Sequence, residues 1–349
     1  MRYLAILTQR NEGAFLLDWL AHHRAVGFDH FLIYSNICQD GSDAMLDALA
    51  EQGWLTHIRN DGPYDKAGIQ FTALKHAAKL GLLRKFDWIL PLDVDEYVNI
   101  HTGDGTVSAL TAALPDASAI TLTWRLFGNA DTARYADTPV TEAFTWCAPY
   151  ILNWPWRASM FKTLYRNDGT YAKPGIHRPR SPDRARLDHS HWYDAHGRKL
   201  DDQFKTRRIF SNYGRPNYGL AQLNHYPLGA MESYVLKADR GRAVHGDDLL
   251  GVDYWVERNF NIETDTTIKR MRPKSDVLRA AFHDDPALAA RHRDAVDWRK
   301  ARFHELMEKE PFRALFARLL MTPPSRPVTR QSARMLTQFA NKGRANSEQ

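Results

Sequence analysis

Across the first 125 residues, short unbroken apolar runs alternate with stretches of helical spacing. Residues 3–8 form the first run, and an apolar run without polar alternation marks a strand covered on both faces. Asn11 then offers a helix cap, Phe15, Leu16, Trp19, Leu20 and Val26 fall on one helical stripe, and Gly27 supplies the stop. Further strands are predicted at residues 31–34, 54–58, 87–92 and 119–124. Between them the spacing predicts a helix around Met45, Leu46 and Leu49 that stops at Gly53, a second over 67–80 and a third ending near Leu114. This alternation predicts an α/β fold, with a mainly parallel sheet flanked by helices. Ligands of such sheets bind beyond the carboxyl ends of the strands, where residues 8–12, 35–40 and 93–96 are polar.

The periodicity is lost between Arg125 and Tyr218, a loop-rich region with Trp146, Trp154, Trp156 and Trp192. These rings suit the mixed apolar and hydroxylated face of a sugar, and equally suit a core. Residues 221–226 read as a last strand and 231–242 as a helix. Past Asp253 the pattern is helical, with a long amphipathic segment over 285–309 that gives way to Pro323, Pro324 and Pro327. The expected organisation is a catalytic domain over 1–242, a helical C-terminal extension over 243–322 packed on it, and a basic, mobile tail over 323–349.

Asp93, Asp95 and Glu96 are the strongest chemical signal. Three carboxylates in four residues, set directly after an apolar strand, repel one another and lose hydration unless something positive joins them. A divalent cation that also takes phosphate oxygens is the expected remedy, and a solvated acidic turn is the plain alternative. An aspartyl-phosphate phosphatase would use the first Asp as nucleophile. That motif belongs on a first strand and has Thr or Val where this chain has Tyr97, on about its fourth.

The other strand ends narrow the choice. Thr8-Gln9-Arg10-Asn11-Glu12, Trp19-Leu20-Ala21-His22-His23, Gly27-Phe28-Asp29, Tyr34-Ser35-Asn36 and Asp40-Gly41-Ser42-Asp43 precede the acidic motif in that order. Asn224-His225-Tyr226, with Glu232, Tyr234, Lys237 and Arg240-Gly241, follows it. Over residues 3–242 the set resembles family 2 glycosyltransferases, in particular the branch close to family 92 that carries an "LDVDE" motif. The resemblance implies a GT-A fold, a nucleoside-diphosphate sugar donor, and inverting transfer to a glycan or glycoconjugate assisted by Mn²⁺ or Mg²⁺. It places Thr8, Asn11 and Glu12 beside the base and ribose, Asp93 on ribose or metal, and Asp95 and His225 on the metal. Ser35 and Asn36 stand where many relatives hold an acidic residue against uracil, so the nucleotide stays open. Gln70 stands where some relatives have a basic residue. Lys173, His177 and Arg178 are candidates for diphosphate or acceptor contacts. Inversion requires a carboxylate base for the acceptor hydroxyl. Glu142 is the choice from its loop position, with Asp131, Asp188, Asp201 and Asp202 as alternatives.

Charge and composition add bounds. The 349 residues are 44% hydrophobic and 25% charged, ordinary for a soluble globular protein, and no apolar stretch is long enough to span a bilayer. With no signal-peptide layout at the start, a cytoplasmic location is expected. Two cysteines are too few for a disulfide framework or a cysteine zinc site. The net charge of +6 is uneven, with Arg and Lys gathered in 157–215 and at Arg326, Arg330 and Arg334. Such asymmetry suits an anionic partner: a diphosphate, an acidic glycan or, for the tail, a membrane surface. A nucleic-acid binder is not expected, since no recognition helix, RNA-binding aromatic motif or zinc module accompanies the pI near 9.2. A non-catalytic glycan-binding protein is opposed by the intact carboxylates at 93, 95 and 96.

Overall fold

The computed structural model describes residues 1–64, 68–212, 214–241 and 250–347. Strands β1 (Tyr3–Gln9), β2 (His30–Ser35), β3 (Thr56–Arg59) and β4 (Trp88–Leu92) lie parallel in the order β3-β2-β1-β4. Helices α1 (Gly13–Val26), α2 (Ser42–Glu51) and α3 (Ile69–Ala77) connect them. The expected start of the third helix at residue 67 lies outside the described residues. Side chains on β1 explain its unbroken apolar run. Tyr3, Ala5 and Leu7 enter the core layer shared with α1 and α2, whereas Leu4 and Ile6 enter the opposite layer with Ala73, Leu74 and Ala77 of α3.

The chain continues through β5 (Glu96–Ile100), α4 (Val107–Ala113), β6 (Ala119–Leu126), α5 (Val140–Ala143) and β7 (Trp146–Cys147). Then come β8 (Phe161–Arg166), β9 (Tyr171–Lys173), β10 (Arg180–Pro182), α6 (Arg184–Leu187), β11 (Trp192–Asp194), α7 (Asp202–Thr206), β12 (Ala221–His225) and α8 (Met231–Arg240). The region where periodicity fails therefore supplies a central strand. β8 lies between β4 and β6, antiparallel to both, and its Lys162 and Thr163 are buried although polar. β12 lies between β6, to which it is parallel, and β5, to which it is antiparallel. The acidic motif is thus the tight connection from β4 to β5, and the backbone N–H of Tyr226 fixes it by donating to Asp95 O at 2.8 Å.

Asn11 does not cap α1. Its φ is +54°, Glu12 holds the capping position without a side-chain bond, and Asn11 Oδ1 instead accepts from Gln39 N at 2.7 Å. Of the four tryptophans in the middle region, Trp192 is fully buried and Trp146 is exposed.

The expected boundary at 242/243 lies outside the described residues, and beyond it come α9 (Val252–Val256), β13 (Glu263–Thr264), α10 (Arg272–Asp284), α11 (Pro286–Met307), α12 (Glu310–Met321) and α13 (Arg330–Ser347). Phe282 of α10 meets the ring of Trp54 at 4.9 Å, and Phe282 and Leu288 join the core of the sheet's α1/α2 face. A further apolar cluster joins α8 to α9, α11 and α12 through Tyr234, Trp255, Phe303, Leu306, Leu315 and Leu319. The tail expected to be mobile carries helix α13, where Ala333 is buried, and Ser325 N before it donates to Asn259 O at 2.7 Å. Among the described residues no helix is long and apolar enough to cross a membrane.

Candidate functional site

The C-terminal ends of β1, β2 and β4 open into a cleft of about 390 Å³. Thr8, Glu12, Asn36, Gln70, Asp93, Asp95 and His225 line it, together with Trp124, Lys237, Arg240 and Tyr254. The size suits a small-molecule ligand.

The positive charge that the acidic motif demands is already present in the protein, as lysine. Lys162, nearly inaccessible on β8, places Nζ 2.8 Å from Asp93 Oδ2 and 3.5 Å from Glu96 Oε2. Burial works against its charge, yet the two carboxylates raise its pKa above the ordinary value. Gln70 Nε2 donates to Asp93 Oδ1 at 2.9 Å, so both oxygens of Asp93 are engaged. Glu96 is fully buried and accepts from Trp124 Nε1 at 2.6 Å and from Asp93 N at 2.9 Å. Burial raises its pKa against the pull of Lys162, and its bonds tie the turn to β6 rather than to the cleft.

Asp95 faces the cleft, and α8 supplies its counter-charge. Lys237 Nζ lies 2.7 Å from Asp95 Oδ2 and 2.8 Å from Pro227 O. His225, at the end of β12, brings Nε2 to 3.7 Å from the same Oδ2 and packs its ring on Trp124 at 4.2 Å between centroids. Burial opposes the charge on Asp95, but Lys237 and His225 hold its carboxyl well below the usual range. Burial lowers the pKa of His225 despite Asp95, which favours the neutral imidazole. One turn after Lys237, Arg240 binds Glu12 Oε1 and, at 2.9 Å, the carbonyl of Arg10. The helix thereby reaches across to the end of β1.

Other expected residues divide. Asn36 lines the cleft, with Nδ2 on Asn60 O at 2.8 Å, whereas Ser35 is buried behind it, its Oγ 2.8 Å from His57 Nε2. Asn11 borders a second cavity beyond Asp95. His177 sits behind Trp124, its Nδ1 3.0 Å from Phe161 O, and the guanidinium of buried Arg178 turns to Pro179 O. Lys173 is exposed on β9. None of these last three lines the cleft. Nor does Glu142, whose carboxylate is drawn to Lys269 at 3.0 Å and Arg272 at 3.4 Å. Asp131, Asp188, Asp201 and Asp202 are exposed, and Asp201 caps α7. Lys162 escaped the sequence reading because a lone lysine in a short apolar run signals an interruption, and Trp124 because it reads as core.

Comparison with known proteins identifies the family. The family model for glycosyltransferase family 92 matches residues 8–215. A glycosyltransferase family 92 protein of Ricinus communis is 31% identical over 94 residues, 27% of this chain and 16% of that protein. The match thus spans about a sixth of the curated relative. Among solved structures, S. aureus TarS 1–349 in complex with UDP aligns over 85% of this chain and 88% of that chain, at 14% identity and a TM-score of 0.32. HddC from Yersinia pseudotuberculosis aligns over 37% of this chain and 60% of that chain, at 12% identity and a TM-score of 0.25. The family model covers more than half of the sequence and includes the acidic turn, and the chain belongs to glycosyltransferase family 92.

Proposed function

We propose that the protein transfers a sugar from a nucleoside-diphosphate sugar to a hydroxyl of a glycan or glycoconjugate, with inversion at the anomeric carbon. One observation carries this reading: Asp93 and Asp95 share a cleft at the strand ends with two cations of one helix, Lys237 and Arg240. Carboxylates suit sugar and ribose hydroxyls, and the adjacent cations suit a diphosphate. Asn36 and Gln70 add amide groups on the nucleotide side. In the transfer, the acceptor oxygen bonds to the anomeric carbon while the bond from that carbon to the diphosphate oxygen breaks. The diphosphate leaves with the electron pair, and the acceptor proton passes to a general base. Lys237 and Arg240 offset the charge developing on the leaving group.

Asp95 and His225 also fit a divalent cation. A carboxylate oxygen and a neutral imidazole nitrogen lie 3.7 Å apart, a donor pair of the kind Mn²⁺ or Mg²⁺ accepts. Asp93, occupied by Gln70 and Lys162, is the weaker candidate for a ligand and is better placed to orient the donor. When bound, the cation would neutralise the diphosphate. Lys237 already holds the Asp95 oxygen in question, so donor and metal are expected to bind together, with Lys237 turning to phosphate.

Thermal unfolding with a nucleoside diphosphate, with and without Mn²⁺, tests the reading. At a hundred times its dissociation constant the pair should add about 2.7 kcal/mol of apparent stability, and metal alone much less. Asp95→Ala should remove most of the joint effect. Full metal-dependent binding by that variant would refute the assignment.

A further inference from the structure

Beyond Asp95 the cleft adjoins a second cavity of about 110 Å³, and Glu12, Asp95, Lys237 and Arg240 belong to both. Its remaining walls come from α1, from the segment after β6, from α8 and from α11 of the C-terminal helical region, and they are mainly apolar: Phe15, Tyr135, Phe144, Leu236 and Trp298. Into this apolar wall α11 places Arg299.

Arg299 is 7% exposed, and its guanidinium carbon lies 4.6 Å from the Phe15 ring centroid and 5.0 Å from that of Tyr135. Its Nε has no hydrogen-bond partner, and among the described residues no carboxylate forms an ion pair with it. The contrast with its neighbour is direct. Arg302, one turn on and lining the same cavity, is held by both oxygens of Asp239 at 2.8–3.0 Å. Glu12, the carboxylate that most favours the charge on Arg299, is engaged by Arg240. A buried arginine is ordinarily paired, because guanidinium loses hydration that only an anion or several acceptors restore. Two aromatic faces replace part of that hydration but leave the N–H donors without an acceptor.

We propose that this cavity is the acceptor subsite and that Arg299 receives an anionic group, carboxylate or phosphate, carried by the acceptor saccharide. The inference rests on the transferase reading above, since it takes the neighbouring cleft as the donor's. The planar fork of Arg299 matches either anion, the flanking rings and Trp298 match the apolar face of a sugar, and the shared wall at Asp95 brings the acceptor beside the donor.

The test uses the full-length protein saturated with nucleoside diphosphate and Mn²⁺, titrated with methyl glucuronide, glucose 6-phosphate and neutral methyl glucoside. Wild type should bind at least one acidic probe about tenfold more tightly than the neutral one. Preference for the glucuronide assigns a carboxylate, and preference for the sugar phosphate a phosphate. Arg299→Met should abolish the preference with nucleotide affinity retained, and Arg299→Lys should restore part of it. If Arg299→Met does not fold, the wild-type preference and the lysine variant decide. Equal binding of acidic and neutral probes, with nucleotide still bound, would overturn the acceptor assignment alone. Absence of nucleotide binding would instead overturn the donor reading.

Discussion

Replacing Lys162 by Met removes the ammonium that neutralises Asp93 and Glu96 while keeping most of the volume of the buried side chain. In the wild type Nζ lies 2.8 Å from Asp93 and 3.5 Å from Glu96, with Lys162 and Glu96 both almost fully shielded from water. Breaking a buried ion pair from one side leaves an uncompensated charge, at a cost of about 3–5 kcal/mol. Asp93 is the more exposed partner and can draw on water, so Glu96 should bear most of the loss. Two measurements follow. Burial raises the Glu96 carboxyl to about 8 even beside Lys162, so that pair is charged above this pH, and denaturant unfolding at pH 9 should show Lys162→Met less stable by about 2 kcal/mol or more. Because the stranded carboxylate can shed its charge by taking a proton, the deficit should shrink as pH falls through 8, and Lys162→Met/Glu96→Gln should recover part of it at pH 9. A loss below about 1 kcal/mol at pH 9, or one unchanged between pH 6 and 9, would show that Lys162 does not balance the acidic turn.

Burial lowers the pKa of His22 to about 4, and its Nε2 lies 2.8 Å from Val98 O. The unfolded chain therefore binds the extra proton first, so stability is lost as pH falls from 6.5 through 4. The loss should reach about 3 kcal/mol in urea titrations and should be reduced in His22→Gln; a flat profile in both would refute it. Glu142→Gln should leave nucleotide affinity unchanged and turnover within a few-fold, since its carboxylate serves Lys269 and Arg272. A fall of about a hundredfold in turnover at normal donor affinity would return Glu142 to the role of base.

The parallel half of the sheet was legible because each of its strands is apolar on both faces, as with Leu4 and Ile6 on one side and Ala5 and Leu7 on the other. The acidic turn was legible from residue type alone. What neutralises it was not: Lys162 lies in a strand whose polar residues mask its burial, and Lys237 meets Asp95 from 142 residues away. Glu142 shows the same limit, since loop position does not show which partners a side chain meets. Lys269 and Arg272, 127 and 130 residues later, engage its carboxylate. Arg299 had no local signal at all, because its surroundings exist only once α11 lies against α1.

That reach across the chain sets a timetable for synthesis. Asp95 leaves the ribosome 142 residues ahead of Lys237, an interval of roughly 7–30 s at ordinary elongation rates. During that wait β5 has no ladder partner, because β12 is the strand it pairs with among the described residues. A nascent chain ending at residue 215 would hold the carboxylates of the site but neither α8 nor β12. Its open strand edge would be available to another chain, and its Asp95 would lack a counter-ion. Aggregation during expression should therefore centre on the edge of β5, and a chaperone that shields this edge until residue 240 has emerged would act where the nascent protein is most exposed.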